Sequence, residues 1–360
     1  MKLCAKKTIF EISPYVPGKP IDEVKRELGL KDVIKLASNE NPYGPSPKVL
    51  QAISQASKEI NRYPDSGCFY LRKELAKKLK ISPNQLIFGN GSDELIVLAV
   101  RGLVNEGDEV IIAKPSFLIY AIASKLEGAN IKEVPLDRFR YDLTGMNAAI
   151  TDRTKIIFIG NPDNPAGSII TQEGLSKFLP AIRRDILVFV DEAYYEYVEA
   201  KDYADTLSLL KTYENLFIIR TFSKMYGLAG LRIGYGIGHE EFVGWLNRIR
   251  EPFNVNSLAQ VAALACLKDQ PYYRAIAKKI RQERRFLYKS FKQLQLNFIE
   301  SWTNFILVKV SNAKEVSLQL MKKGVIVRDM SFWGLPYYIR VTIGNSAENK
   351  RFIKVLEEIV

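Results

Sequence analysis

The chain predicts an α/β fold: a large part built on a mostly parallel sheet covered by helices, and a smaller α+β part. Two observations carry this expectation. Apolar runs of strand length alternate with helix-length segments from about residue 85 to residue 220, the pattern of a sheet buried on both faces. After about residue 257 the pattern changes to a long charge-laced helical stretch and then short strands around another helix. At 360 residues, 47% of them apolar, the chain is long enough for two cores and too apolar to be disordered.

The elements follow in order. Pro14, Pro17, Gly18 and Pro20 make the entrance irregular, and Ile21–Leu28 reads as a short amphipathic helix. Asn39-Glu40-Asn41-Pro42-Tyr43-Gly44-Pro45 is a turn-rich loop. Gln85–Phe88 is a strand, followed by Gly89-Asn90-Gly91-Ser92-Asp93-Glu94 and a helix through Leu103. Further strands are expected at Glu109–Ala113, Lys155–Ile159, Ile186–Val190 and Leu216–Ile219. A single helical stretch is expected from about 257 to Gln293. Strands at Phe305–Val310, Val325–Arg328 and Tyr338–Thr342 then suggest an antiparallel sheet. The division is 41–265 for the large part, with 1–40 and 266–360 forming the small one.

Composition removes several functions. One histidine, His239, follows Gly238 just past a strand-like segment and reads as a turn or helix start; a Ser-His-Asp or Cys-His triad would have to use it, no nucleophile motif stands elsewhere, and a histidine-rich metal site is excluded by count. Cys4, Cys68 and Cys266 form neither a disulfide framework nor a metal cluster. No window reads as a membrane span or a secretory signal, so a cytoplasmic protein is expected, with no membrane partner. The net charge of +12 fits a solvated basic surface or an anionic small substrate. No nucleic-acid signature accompanies it, and no nucleic-acid partner is expected.

In open α/β sheets, sites gather where loops leave the carboxyl ends of strands. Five such loops carry suitable chemistry here. Backbone N–H groups beside Gly91 can hold a phosphate, and Ser92 can cap the helix. Phe117 can stack on a flat ring or simply join the core. Asn164, between two prolines, can aim an amide into a site or form a plain turn. Asp191 ends an apolar run, where a carboxylate is either a helix cap or the partner of a buried cation such as a pyridinium N–H, and Tyr194 follows it. Lys224 stands after a buried strand, behind Ser223 and eight residues before Arg232. An amine beside an anion-binding hydroxyl and arginine suits Schiff-base chemistry with a phosphorylated aldehyde.

The chain resembles the fold-type-I pyridoxal phosphate aminotransferases, and within them the histidinol-phosphate aminotransferase branch. The resemblance rests on Ser13–Gly18, Leu36–Ser46, Arg62–Asp65, Gly89–Glu94, Asn161–Gly167, Val190–Tyr194, Thr221–Arg232, Val325–Asp329 and Ile339–Gly344. It implies pyridoxal 5′-phosphate as cofactor, linked to Lys224. Asp191 would pair with the ring nitrogen, Asn164 and Tyr194 would contact the phenolic oxygen, and Phe117 would cover the ring. Gly91, Ser92, Ser223 and Arg232 would bind the phosphate, and Asp93 would belong to the same cofactor site. Tyr63 would reach the phosphate of a neighbouring subunit, implying a homodimer. Tyr15, Asn164, Arg328 and Arg340 would meet the substrate, with Lys224, Asp191 and Tyr194 as the catalytic set. The implied reaction exchanges an amino group between histidinol phosphate and 2-oxoglutarate. An aromatic amino-acid aminotransferase and a threonine-phosphate decarboxylase remain alternatives, with a non-enzymatic cofactor-binding regulator behind them. The chain departs from relatives at Ala166, where threonine is usual, and in the aromatic run Gly334–Tyr338.

Overall fold

A computed structural model describes residues 4–14 and 18–360. Tyr15 therefore lies outside the described residues. The strands are β1 (Ile34–Leu36), β2 (Leu86–Gly89), β3 (Glu109–Lys114), β4 (Asn130–Pro135), β5 (Thr154–Gly160), β6 (Leu187–Asp191), β7 (Leu216–Thr221), β8 (Gly234–Ile237), β9 (Phe298–Ile299), β10 (Phe305–Lys309), β11 (Val325–Asp329) and β12 (Tyr338–Thr342).

Seven strands form one sheet in the order β2-β8-β7-β6-β5-β3-β4. All run the same way except β8, which is antiparallel to both neighbours. The alternation of side chains explains the unbroken apolar runs. In β5, Ile157 and Ile159 enter one core cluster while Ile156 and Phe158 enter the other. In β6, Val188 and Val190 face the first and Leu187 and Phe189 the second. Both faces are covered, so every position must be apolar.

The register brings the chemistry to one edge. Gly160 pairs with Asp191, and Asp191 with Ile219, so the loops after β5, β6 and β7 leave side by side. Because β8 runs backwards, its first residue, Gly234, pairs with the last residue of β2, Gly89. Arg232, just before β8, is thereby brought to the Gly91 loop. Glycines hold two of its four positions, so the sequence showed only a strand-like segment before Gly238, without bounds. Gly236 is required by packing: a β-carbon there would collide with the Phe217 ring.

The second sheet has the order β1-β11-β12-β10-β9. Its last four strands pair antiparallel as expected, but β1 adds a parallel edge, pairing Leu36 with Val327. The segment preceding the Asn39 loop is thus tied to the small sheet. Arg328 and Arg340 are direct neighbours on β11 and β12.

Two expectations need correction. The helical stretch after 257 is two helices, Ser257–Lys268 and Gln270–Gln293, separated at Asp269. Pro271 stands in the first turn of the second helix, where its missing N–H and fixed φ suit a new start. Ser92 does not cap the helix Ser92–Leu103; it is the first helical residue, and Gly91 holds the cap position without a side-chain cap bond. His239 does begin a helix, as cap of Glu240–Ile249.

Candidate active site

A cavity of about 330 Å³ opens at the carboxyl edge of the seven-stranded sheet, between it and the β11–β12 face of the small sheet. Ser92, Asp93, Phe117, Asn164, Asp191, Tyr194, Ser223, Lys224, Arg232, Arg328 and Arg340 all line it. Gly91 stands directly behind. Its φ of +80° and the Arg232 guanidinium, which a β-carbon would strike, leave room only for glycine.

Lys224 Nζ donates to the Ser38 carbonyl at 3.2 Å and stands 5.8 Å from the Tyr194 ring centroid. Burial destabilises its ammonium, and the Arg340 charge adds to this, lowering its pKa to about 8. A usable fraction of neutral amine therefore exists near neutrality. Attachment of an aldehyde to this amine is expected to accelerate as pH rises through about 8 and then level off.

Asp191 ends β6 and does not cap a helix. Ala193 N–H donates to one carboxylate oxygen at 2.9 Å, and the Tyr120 hydroxyl donates to the other at 2.8 Å. Burial pushes the pKa up to about 6, while these two donors oppose the rise. The group is thus a carboxylate at neutral pH, buried and in want of a cation. Tyr120 was missed in the sequence. It follows Phe117 by one helical turn in Leu118–Leu126 and stacks on Phe158 with centroids 4.6 Å apart. An aromatic one turn beyond Phe117 was the available signal.

Tyr120→Phe removes a donor that stabilises the Asp191 carboxylate. Below its pKa that carboxylate is protonated and cannot pair with a cation. In apoprotein, cofactor affinity is expected to fall with decreasing pH through about 6. In the variant this transition should move up by about one pH unit. Fluorescence titration between mildly acidic and neutral pH checks it, and an unmoved midpoint would count against the Tyr120 role.

Asn164 Oδ1 accepts from Arg340 at 2.5 Å, which leaves its amide N–H groups for another acceptor. The loop carrying it is pinned by Asp163, whose carboxyl accepts from Ala166 N at 2.8 Å and from the Tyr141 hydroxyl at 3.3 Å. Ala166 is fully buried, and its backbone makes the bond that holds the turn.

At the phosphate end, Arg232 Nη1 reaches Ser223 Oγ at 3.5 Å and Nη2 pairs with Asp93 at 3.3 Å. Asp93 thus bears on this end through Arg232. The N-terminus of Ser92–Leu103 contributes its dipole and free N–H groups. At the opposite wall, Arg340 also donates to the Ala37 carbonyl at 3.1 Å. The Arg328 guanidinium lies over the Trp333 ring, 4.8 Å from its centroid. Of the aromatic residues near 334–338, neither Tyr337 nor Tyr338 lines the cavity, whereas Trp333 does. Tyr63 does not line it either: it is 83% exposed, stacked on Phe253 with centroids 4.8 Å apart.

The donor set fits pyridoxal 5′-phosphate: a partly neutral lysine, a buried carboxylate lacking a cation, a flat aromatic wall at Phe117, and a helix terminus with serine and arginine. Fold and cavity together define an aminotransferase of the pyridoxal phosphate-dependent kind. The chain belongs to the aminotransferase class I and II family, whose model matches residues 31–356. Within that family its similarity is to histidinol-phosphate aminotransferases. It is 47% identical to that of Moorella thermoacetica over 99% of this chain and 92% of the relative, and 46% identical to that of Caldicellulosiruptor saccharolyticus over 99% of each. The solved histidinol-phosphate aminotransferase of Sinorhizobium meliloti, in complex with pyridoxal-5′-phosphate, superposes with a TM-score of 0.91 at 29% identity, covering 99% of this chain and 98% of that one. An aspartate aminotransferase from Thermus thermophilus shares the fold at 20% identity, with a TM-score of 0.86 over 99% of this chain and the whole of that one.

Proposed function

We propose that this protein transfers the amino group of histidinol phosphate to 2-oxoglutarate, with pyridoxal 5′-phosphate held in the cavity. The observation that carries the substrate is the pairing of Arg328 with Arg340 on adjacent strands of the wall facing Lys224. Two guanidinium forks side by side suit a phosphate dianion, and they suit the carboxylates of 2-oxoglutarate in the second half-reaction. The names of the full-length relatives agree with this reading.

The residues divide the work. Lys224 would hold the cofactor covalently. Gly91, Ser92, Ser223 and Arg232 would receive its phosphate, with Asp93 orienting Arg232. Phe117 would cover the ring, Asn164 and Tyr194 would donate to its phenolic oxygen, and Asp191 would keep its nitrogen protonated. The bound cofactor supplies an electron-poor ring that stores the electrons left when the substrate Cα loses its proton. Lys224 Nζ would take that proton and deliver it to the carbon on the far side of the substrate nitrogen, acting as base and then acid. By the resemblance Tyr15, outside the described residues, would also meet the substrate. Residues 41–265 would make up the cofactor-binding domain, and 266–360 with the segment through β1 the small one; the N-terminal turn Lys7–Glu11 instead packs on the helix Leu118–Leu126 of the large part, where the Thr8 hydroxyl donates to the Leu126 carbonyl at 3.3 Å.

A homodimer completes the site. Tyr63 is too exposed to serve its own cavity, and Ile60 and Phe253 form an exposed apolar surface with it. One protomer's Tyr63 reaches the phosphate site of the other. Light scattering should give twice the chain mass. The free buried thiols Cys68 and Cys266 suit the cytoplasm; no described helix is long and apolar enough to cross a membrane.

Arg340→Ala should raise KM for histidinol phosphate by about 100-fold while cofactor affinity changes only a few-fold. Equal losses of both would point to a damaged fold. The function itself is tested by a single half-reaction. Loaded enzyme is mixed with histidinol phosphate, L-phenylalanine, L-tyrosine or O-phospho-L-threonine, following the visible band and carbon dioxide. Fast bleaching with histidinol phosphate alone supports the reading. Preference for an aromatic amino acid, or carbon dioxide release from the phosphothreonine, would replace it.

A further inference from the structure

Asn39 is 98% buried by its surroundings, with 2% of its surface exposed, and has a left-handed backbone with φ of +57°. It lies between the two sheets, and every polar group of the residue is engaged. Its backbone N–H donates to Thr342 Oγ1 at 2.9 Å, and its carbonyl accepts from Asn304 Nδ2 at 2.9 Å. Its side-chain Oδ1 accepts from Thr342 Oγ1 at 3.2 Å, and its Nδ2 donates to the Tyr194 hydroxyl at 2.9 Å.

The directions of these bonds follow from proton counting. Thr342 has one hydroxyl hydrogen. Its oxygen already accepts the Asn39 backbone N–H, so the hydrogen is free to go to Asn39 Oδ1. That leaves the amide NH₂ facing Tyr194, whose oxygen must accept. Turning the amide over would aim a second N–H at Thr342, leave the threonine hydrogen without this acceptor, and draw the Tyr194 hydrogen away from the cavity. A phenol that accepts on one side keeps its own hydrogen for the other, and the accepted bond makes it a stronger donor.

We propose that Asn39 is a positioning residue that fixes the Tyr194 phenol as a hydrogen-bond donor into the cavity. This rests on the functional reading above, in which the acceptor is the phenolic oxygen of the cofactor. Thr342 lies two residues beyond Arg340 on β12, so the same asparagine ties the substrate-binding strand to the cofactor's partner. Left-handed backbone at this position suits asparagine, which visits that region more readily than most residues.

The test is the pH midpoint of the visible absorption band of the loaded enzyme. Donation by Tyr194 favours the anionic phenolic oxygen and holds that midpoint down. Asn39→Asp keeps the shape and the backbone tolerance but can only accept, so it takes the Tyr194 hydrogen. The midpoint is expected to rise by about one pH unit. Asn39→Gly, which suits the backbone and lacks the amide, should shift it the same way and less. The added aspartate charge is controlled by Tyr194→Phe: in that background Asn39→Asp should add no further shift. An unmoved midpoint in both single variants, or an equal shift with and without the Tyr194 hydroxyl, would overturn the proposal. Wild-type protein that shows no visible band with pyridoxal 5′-phosphate would instead overturn the functional reading on which it rests.

Discussion

Lys224→Ala is expected to lower the rate of amino transfer by about 10⁴-fold, near the upper end of what a positioned acid-base group contributes. The loss has two sources. The variant has no amine to hold the cofactor covalently, so dialysis should strip it faster. It also lacks the group that moves the substrate proton, and His239, the one imidazole in the chain, is placed as the cap of a surface helix and cannot take over. Cofactor binding should weaken without vanishing, because the phosphate site, Asp191 and Phe117 remain. A rate within ten-fold of wild type would remove Lys224 from the chemistry.

Asp191→Ala is expected to bind cofactor more weakly and, once saturated with it, to lower kcat by about 10³-fold, the scale of losing one aimed charge at a buried reacting centre. Asp191→Asn tests charge against shape, since it can keep a hydrogen bond while losing the negative charge. It should be nearly as slow as the alanine variant. If asparagine restores most of the rate, the carboxylate serves as a brace for the loop and not as the partner of a protonated ring. Pre-steady-state measurement of Cα proton loss from deuterated substrate separates this step from product release.

The parts legible in sequence were those where a residue type breaks a local pattern. Asp191 ends a buried apolar run, Lys224 follows another, and Asn164 stands between two prolines; parallel strands in adjacent register then carry these ends to one edge. Arg328 and Arg340 were legible as residues, but their direct pairing is a matter of register. Asn39 and Tyr120 were not assigned roles, because each acts through a contact across many residues of chain, Asn39 with Thr342 and Tyr120 with Asp191; Trp333 is near Arg328 in sequence, but the turn that lays its ring under the guanidinium is not a local pattern. Ser92 was misplaced by one position because Gly91 takes the cap. β8 was legible only as a strand-like segment before Gly238, because its glycines answer to Phe217 and the Ser92 backbone, neighbours that local propensity does not include.

The central claim is that one lysine carries the chemistry. The most direct measurement is borohydride reduction of the protein loaded with pyridoxal 5′-phosphate, followed by proteolysis and peptide mass spectrometry. The account predicts one reduced, acid-stable adduct per chain, located on Lys224, and its disappearance when histidinol phosphate is added before the reductant. An adduct on a different lysine, or none at Lys224 in protein that transfers amino groups, would contradict it.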